Sequence, residues 1–117
     1  MDLDPQGNVQ NPDNLVAQCN NSMDYVATLL EELGADSSDL VKLVVFYMGG
    51  AGEKTQILEL ITEKSGKETR PVINMVNLPQ LCYPSMVIEI KHVAMRSADG
   101  SRIPRKHFNL DDMPTLP

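Results

Sequence analysis

Nine residues in the first half of the chain, Leu40 to Met48, read LVKLVVFYM. The run is β-branched, aromatic and almost wholly apolar, and Gly49, Gly50 and Gly52 break it. It is too short to span a membrane and too rich in valine to favour a helix. It reads as a strand buried on both faces, as in a parallel or mixed sheet. Such a strand must be covered, so the rest of the chain has to supply layers for it.

The flanking segments supply them. Upstream, Met1 to Pro12 is rich in Asp, Asn, Gln, Gly and Pro and reads as a turn-rich lead-in. A helix is predicted from Asp13 to Leu33, with Asp13 as N-cap and Gly34 as the residue that ends it. Leu15, Cys19, Met23, Val26, Leu30 and Leu33 recur at steps of three and four and form its apolar stripe. Gln18, Asn21, Thr28 and Glu32 fall largely on the other side. Downstream, Ile57, Leu58 and Ile61 mark a second helix over Glu53 to Lys64, followed by Gly66. Arg70 to Asn77 and Met86 to Met95 read as two further strands. In the last of these, Val87, Glu89, Lys91 and Val93 share one face, and Ile88, Ile90, His92 and Ala94 the other.

The order is helix, strand, helix, strand, strand. The strand–helix–strand unit predicts a right-handed parallel crossover. The last two strands, being close in sequence, are expected to pair antiparallel. The chain divides into a domain over 1–97 and an irregular, proline-bearing arm over 98–117. The core lacks tryptophan and has two phenylalanines, so burial rests on Leu, Ile, Val and Met. A chain of 117 residues buries only about two-thirds of its unfolded surface, and association with other copies would extend that burial.

Charge and composition exclude several classes of function. A net charge of −6 repels phosphate backbones, so nucleic acid is not the expected partner. No apolar run approaches the roughly 18 residues of a membrane helix. The polar start carries no secretory signal, and two cysteines make no disulfide framework, so the cytoplasm is the expected compartment.

Candidate chemistry is sparse. The segment GGAGEKT, Gly49 to Thr55, has the strand–loop–helix setting of a phosphate-binding loop. Its spelling is wrong, because Glu53 stands before Lys54 and would aim a negative charge at phosphate. It reads as a glycine turn leaving a strand. Cys19, Cys82, His92 and His107 form no closely spaced ligand pair, so no metal site is expected. Cys19 belongs to the apolar stripe, and Cys82 lies in a connection. Two charged residues stand out. Arg70 begins a strand directly before Pro71, and its planar fork suits a carboxylate. Glu89 sits between Ile88 and Ile90, where a carboxylate needs a partner or solvent. The plainest reading is that the two pair with each other or face water.

Four segments together resemble one family. GADSSDLVKLVVFYM is similar to the "GA…D+VK…VF" stretch of the Rid/YjgF proteins, the reactive-intermediate (enamine/imine) deaminases. TRPVINMVNLP resembles their "ARxxVxVxxLP" strand, MVIEIKHVAMR their closing "VIEIExIA" strand, and DLDPQGNV their "DPxTGxxV" lead-in. The resemblance covers Asp4 to Arg96. It implies a chorismate-mutase-like α/β (α+β) fold, a mixed sheet packed on two helices, assembled as a homotrimer with clefts between subunits. It implies that Arg70 binds the substrate carboxylate and that Glu89 positions an attacking water. The implied reaction is hydrolysis of a 2-aminoacrylate-type enamine or imine to a 2-keto acid and ammonia, with no metal or organic cofactor.

The sequence departs from the family pattern in several places. The N-terminal β-hairpin, whose residues help line the cleft, has no counterpart. Val72 stands where many members carry cysteine, and Lys91 replaces a second acidic residue. The connection Gln80 to Ser85 is longer, and the arm is an extension. These departures motivate a second reading, a non-catalytic trimer of the same fold that binds a small carboxylate or a protein partner.

Overall fold

The computed structural model describes residues 2–66, 71–96 and 99. The arm expected over 98–117 lies outside the described residues apart from Asp99, and so does Arg70. The described part is an α+β fold of two helices and a three-stranded mixed sheet.

Helix α1 runs Leu15–Glu32. Its N-cap is Asn14 rather than Asp13, and the Asn14 Oδ1 accepts from the Ala17 amide at 3.0 Å. Asp13 is diverted into the preceding turn, with φ 59° and its amide donating to the Ser85 carbonyl. At the far end Gly34 adopts φ 75°, and the Ala35 amide returns to the Leu30 carbonyl at 2.8 Å. Leu33 is the C-cap and is 81% exposed, so it does not extend the apolar stripe. Gln18 differs most from expectation: it is fully buried, although its position in the repeat places it on the polar side.

Strand β1 (Leu40–Tyr47) is central, in the order β2–β1–β3, with β2 spanning Val72–Asn77 and β3 Ile88–Ala94. Helix α2 (Ala51–Ser65) connects β1 to β2, and these two strands pair in parallel, with Lys42 opposite Val72 and Tyr47 opposite Asn77. Strand β3 pairs antiparallel with the other edge of β1, with Phe46 opposite Glu89. The last two strands therefore do not pair with each other, contrary to the expectation from their proximity in sequence. The connecting chain crosses the carboxyl end of β1 instead. There the Leu78 amide donates to the Tyr47 carbonyl and the Met48 amide donates to the Val87 carbonyl. The most apolar strand thereby gains a neighbour on both edges.

One face of the sheet packs into the core. Leu40, Leu43, Val45, Tyr47, Ile88 and Ile90 join Cys19, Met23, Val26 and Leu30 of α1 and Ile57 and Ile61 of α2. Among the described residues the opposite face of β1 is only partly covered: Val44 and Phe46 are half-buried and Lys42 is exposed. The expectation that β1 is buried on both faces thus fails for a single copy of the chain. At the foot of the sheet the buried Asp39 carboxylate accepts from the Arg96 Nε at 2.9 Å, and the Asp39 carbonyl accepts from the Met95 amide. These contacts tie the entry of β1 to the exit of β3.

Candidate active site

Strand pleating sends alternate side chains to opposite faces, so the pairing register lays out the open face as rows across the sheet. Val76, Phe46 and Glu89 form the row nearest the carboxyl end of β1. Asn74, Val44 and Lys91 form the next, and Val72, Lys42 and Val93 the third. The surface is apolar with a few charges. Val72 is 61% exposed and Val93 48%, which is unusual for valines on the face of a sheet. The Lys91 Nζ lies over the Phe46 ring, 5.5 Å from its centroid.

Glu89 is half-buried on this face. Among the described residues its carboxylate makes no hydrogen bond or ion pair. Its neighbours along the strand on this face are the half-buried Val87 and the exposed Lys91, and across the sheet the half-buried Phe46. A carboxylate in such company accepts hydrogen bonds from whatever enters the face, water first.

Two hollows adjoin the same end of the sheet. One, of about 250 Å³, is lined by Asp13, Met48 and the segment Gln80 to Val87. The other, of about 390 Å³, is lined by Met48, Gly49, Asn77, Leu78 and Pro79. They share Met48 and lie beyond the carboxyl ends of the parallel strands, where α/β sheets bind ligands. A hollow of about 590 Å³ along α2, at Thr55, Leu58, Glu59, Thr62, Glu63 and Gly66, contains no residue of the open face.

The glycine loop behaves as a turn. The Glu53 Oε2 accepts from the Gly50 amide at 3.1 Å, so the N-terminus of α2 is capped by its own carboxylate. Gly49 has φ 137°, and a Cβ there would lie 2.7 Å from the Glu53 Cγ. The Gly49 carbonyl accepts from the Asn77 Nδ2 at 2.9 Å. Of the cysteines, Cys19 lies in the core, where burial pushes its thiol up to about 11, and Cys82 is exposed. Among the described residues no three His, Cys, Asp or Glu side chains gather as a metal site, and no helix is long and apolar enough to cross a membrane.

A family model for endoribonuclease L-PSP matches residues 1–96. The chain belongs to this family, the YjgF/Rid proteins. Solved structures share the fold at low identity. A proposed endoribonuclease from Thermotoga maritima superposes with a TM-score of 0.70 at 21% identity, over 83% of this chain and 74% of that one. A Rid-family protein of unknown function from Yersinia pestis gives 0.68 at 19%, over 80% and 71%. A YjgF/YER057c/UK114 family member from Mycobacterium tuberculosis gives 0.64 at 23%, over 70% and 68%. No curated protein sequence gives a significant match.

Within this family frame, Glu89 is the sequence-derived site residue that lies among the described residues, and it occupies the open face. Sequence reasoning missed Gln18. Its Nε2 donates to the carbonyls of Asn11 and Ser85, both at 2.9 Å, and its Oε1 accepts from the Val87 amide at 2.9 Å. A polar residue one step before the core cysteine was the only local sign of it.

Proposed function

We propose that this Rid-family chain hydrolyses 2-aminoacrylate-type enamines, through their imine tautomers, to 2-keto acids and ammonia. The enamine takes a proton at its terminal carbon and gives one up from nitrogen, which yields the imine. Water adds to the imine carbon as one of its protons passes to nitrogen, and the resulting carbinolamine then gives its hydroxyl proton to nitrogen as the C–N bond breaks, leaving the keto group and ammonia. The imine carbon is already electrophilic, so the protein's contribution is orientation and charge placement. Glu89 accepts a hydrogen bond from the attacking water and directs its lone pair at that carbon. Arg70 holds the substrate carboxylate in a bidentate pair. Homotrimer formation, with open sheet faces turned towards neighbouring subunits, would close the cleft and cover the exposed valines.

The observation that carries this reading is the half-buried Glu89 carboxylate, without a hydrogen-bond or ion-pair partner among the described residues, on a largely apolar and partly open sheet face. A net charge of −6 favours a small substrate over a polyanionic RNA. Freshly generated 2-aminoacrylate tests it. The wild type should release pyruvate well above the uncatalysed rate. Glu89→Gln should lose most of kcat, and Arg70→Ala should chiefly raise KM. Wild-type release at the uncatalysed rate refutes the reading.

One observation favours a second reading. Lys91 places a cation on the same face, over Phe46, where it suits a bound carboxylate. A non-catalytic carboxylate-binding trimer would show saturable keto-acid binding, weakened in Arg70→Ala, without turnover.

A further inference from the structure

We infer that Gln18 is the positioning residue for Glu89, an inference that rests on reading Glu89 as the water-orienting group. Gln18 is fully buried on α1, where an unsatisfied amide is costly. Both of its N–H groups are engaged, and its oxygen accepts one bond, each at 2.9 Å. The three partners lie on two separate stretches of chain. Asn11 belongs to the lead-in, Ser85 ends the long connection, and Val87 is the last residue before β3.

The position of these partners matters more than their number. Ser85 has φ 67°, a left-handed turn that aims the chain into β3, and its carbonyl accepts from the Asp13 amide as well as from Gln18. Val87 is held from two directions: its amide donates to Gln18, and its carbonyl accepts from the Met48 amide. Glu89 follows two residues later on the same face. The β1–β3 ladder sets the spacing along the strand, and Gln18 sets the point at which the strand begins. A slip of one residue would turn Glu89 into the core and Ile88 or Ile90 out of it. Smaller shifts matter as well, since a misplacement of about 1 Å can cost roughly 100-fold in rate.

Two variants test this. Gln18→Met keeps the length and removes all three hydrogen bonds. Gln18→Glu keeps the acceptor for Val87 but presents a carboxylate to the Asn11 and Ser85 carbonyls. On acidification its protonated form regains one donor. In Gln18→Met, kcat should fall by about tenfold or more while KM stays within about twofold, because Arg70 is untouched. In Gln18→Glu, kcat relative to wild type at the same pH should recover as the pH falls. Amide hydrogen exchange read on the same proteins should accelerate over Val87 to Ile90 and leave Ile57 and Ile61 in α2 unchanged.

Unchanged kcat in an active wild-type background overturns the inference, as does exchange that rises evenly over the whole chain. If the wild type shows no turnover, the deaminase reading falls by itself. The exchange pattern then decides whether Gln18 sets the start of β3: local acceleration supports that placement, and uniform acceleration overturns it.

Discussion

Raising the pH should weaken the fold through one buried thiol. Cys19 lies in the core with no exposed surface, and burial pushes its pKa from 9.0 to about 11, with the Lys64 charge acting in the opposite direction. Between these values the unfolded chain releases the thiol proton and the folded chain keeps it. Unfolding is therefore favoured as the pH rises. The contribution of the protonated thiol is fully present below pH 9.0 and is lost as the pH climbs to about 11. At about 1.36 kcal/mol for each pH unit, the loss reaches about 3 kcal/mol. That is a large share of the roughly 5–15 kcal/mol that a domain of this kind possesses. Lysines and tyrosines also titrate in this range, so the measurement is a difference. Urea unfolding of the wild type and of Cys19→Ala should be followed at steps from pH 8 to pH 11. The gap in unfolding free energy between the two should change by about 2 kcal/mol between pH 8 and pH 11, with the wild type losing more and the remainder lost above the folded pKa. A gap that stays constant with pH refutes the assignment of a buried, proton-retaining thiol at this position.

Other outcomes follow from the same structure. Native protein should react with one equivalent of a thiol reagent, at the exposed Cys82, and the buried Cys19 should react only when the chain unfolds, as counted by absorbance with and without denaturant. Glu53→Ala should destabilise by about 1 kcal/mol through loss of the cap on the Gly50 amide. Gly49→Ala should cost about 1–3 kcal/mol, because alanine resists a φ of 137° and meets the Glu53 side chain; denaturant midpoints check both variants. Leu43→Ala, at a fully buried site in the central strand, should cost about 3 kcal/mol by the same assay.

Much of this protein was legible locally. Local pattern located the helices and strands of the described residues: the helices by their 3.6-residue period, β3 by alternation, and β1 by an unbroken β-branched apolar run. The ends moved by a residue or two where capping chemistry intervened. Asp13 gave way to Asn14 because the Asp13 amide is drawn to Ser85. Alternation in VIEIKHV also marked Glu89 as a carboxylate sharing a face with Val87, Lys91 and Val93, and the register of β3 against β1 agrees. The glycine loop read correctly as a turn, since a glutamate three residues into a helix caps its own N-terminus.

Local pattern thus sufficed for the elements, for the alternation along β3 and for the oddity of Glu89, though not for Leu33 or Gln18. Tertiary structure decided which strands are neighbours. Proximity in sequence argued for β2 beside β3. Strand β1, the most apolar, instead took both of them as partners, and no local pattern records that competition. It also decided that one face of β1 is only partly covered among the described residues, that Phe46 stands beside Glu89 and beneath Lys91, and that Gln18 is buried. The period of a helix reports which side a residue occupies. It does not report that a turn some 67 positions away will bring a carbonyl and an amide to meet a glutamine there. Such long-range hydrogen bonds depend on where separate segments arrive in space, and only the assembled fold sets that.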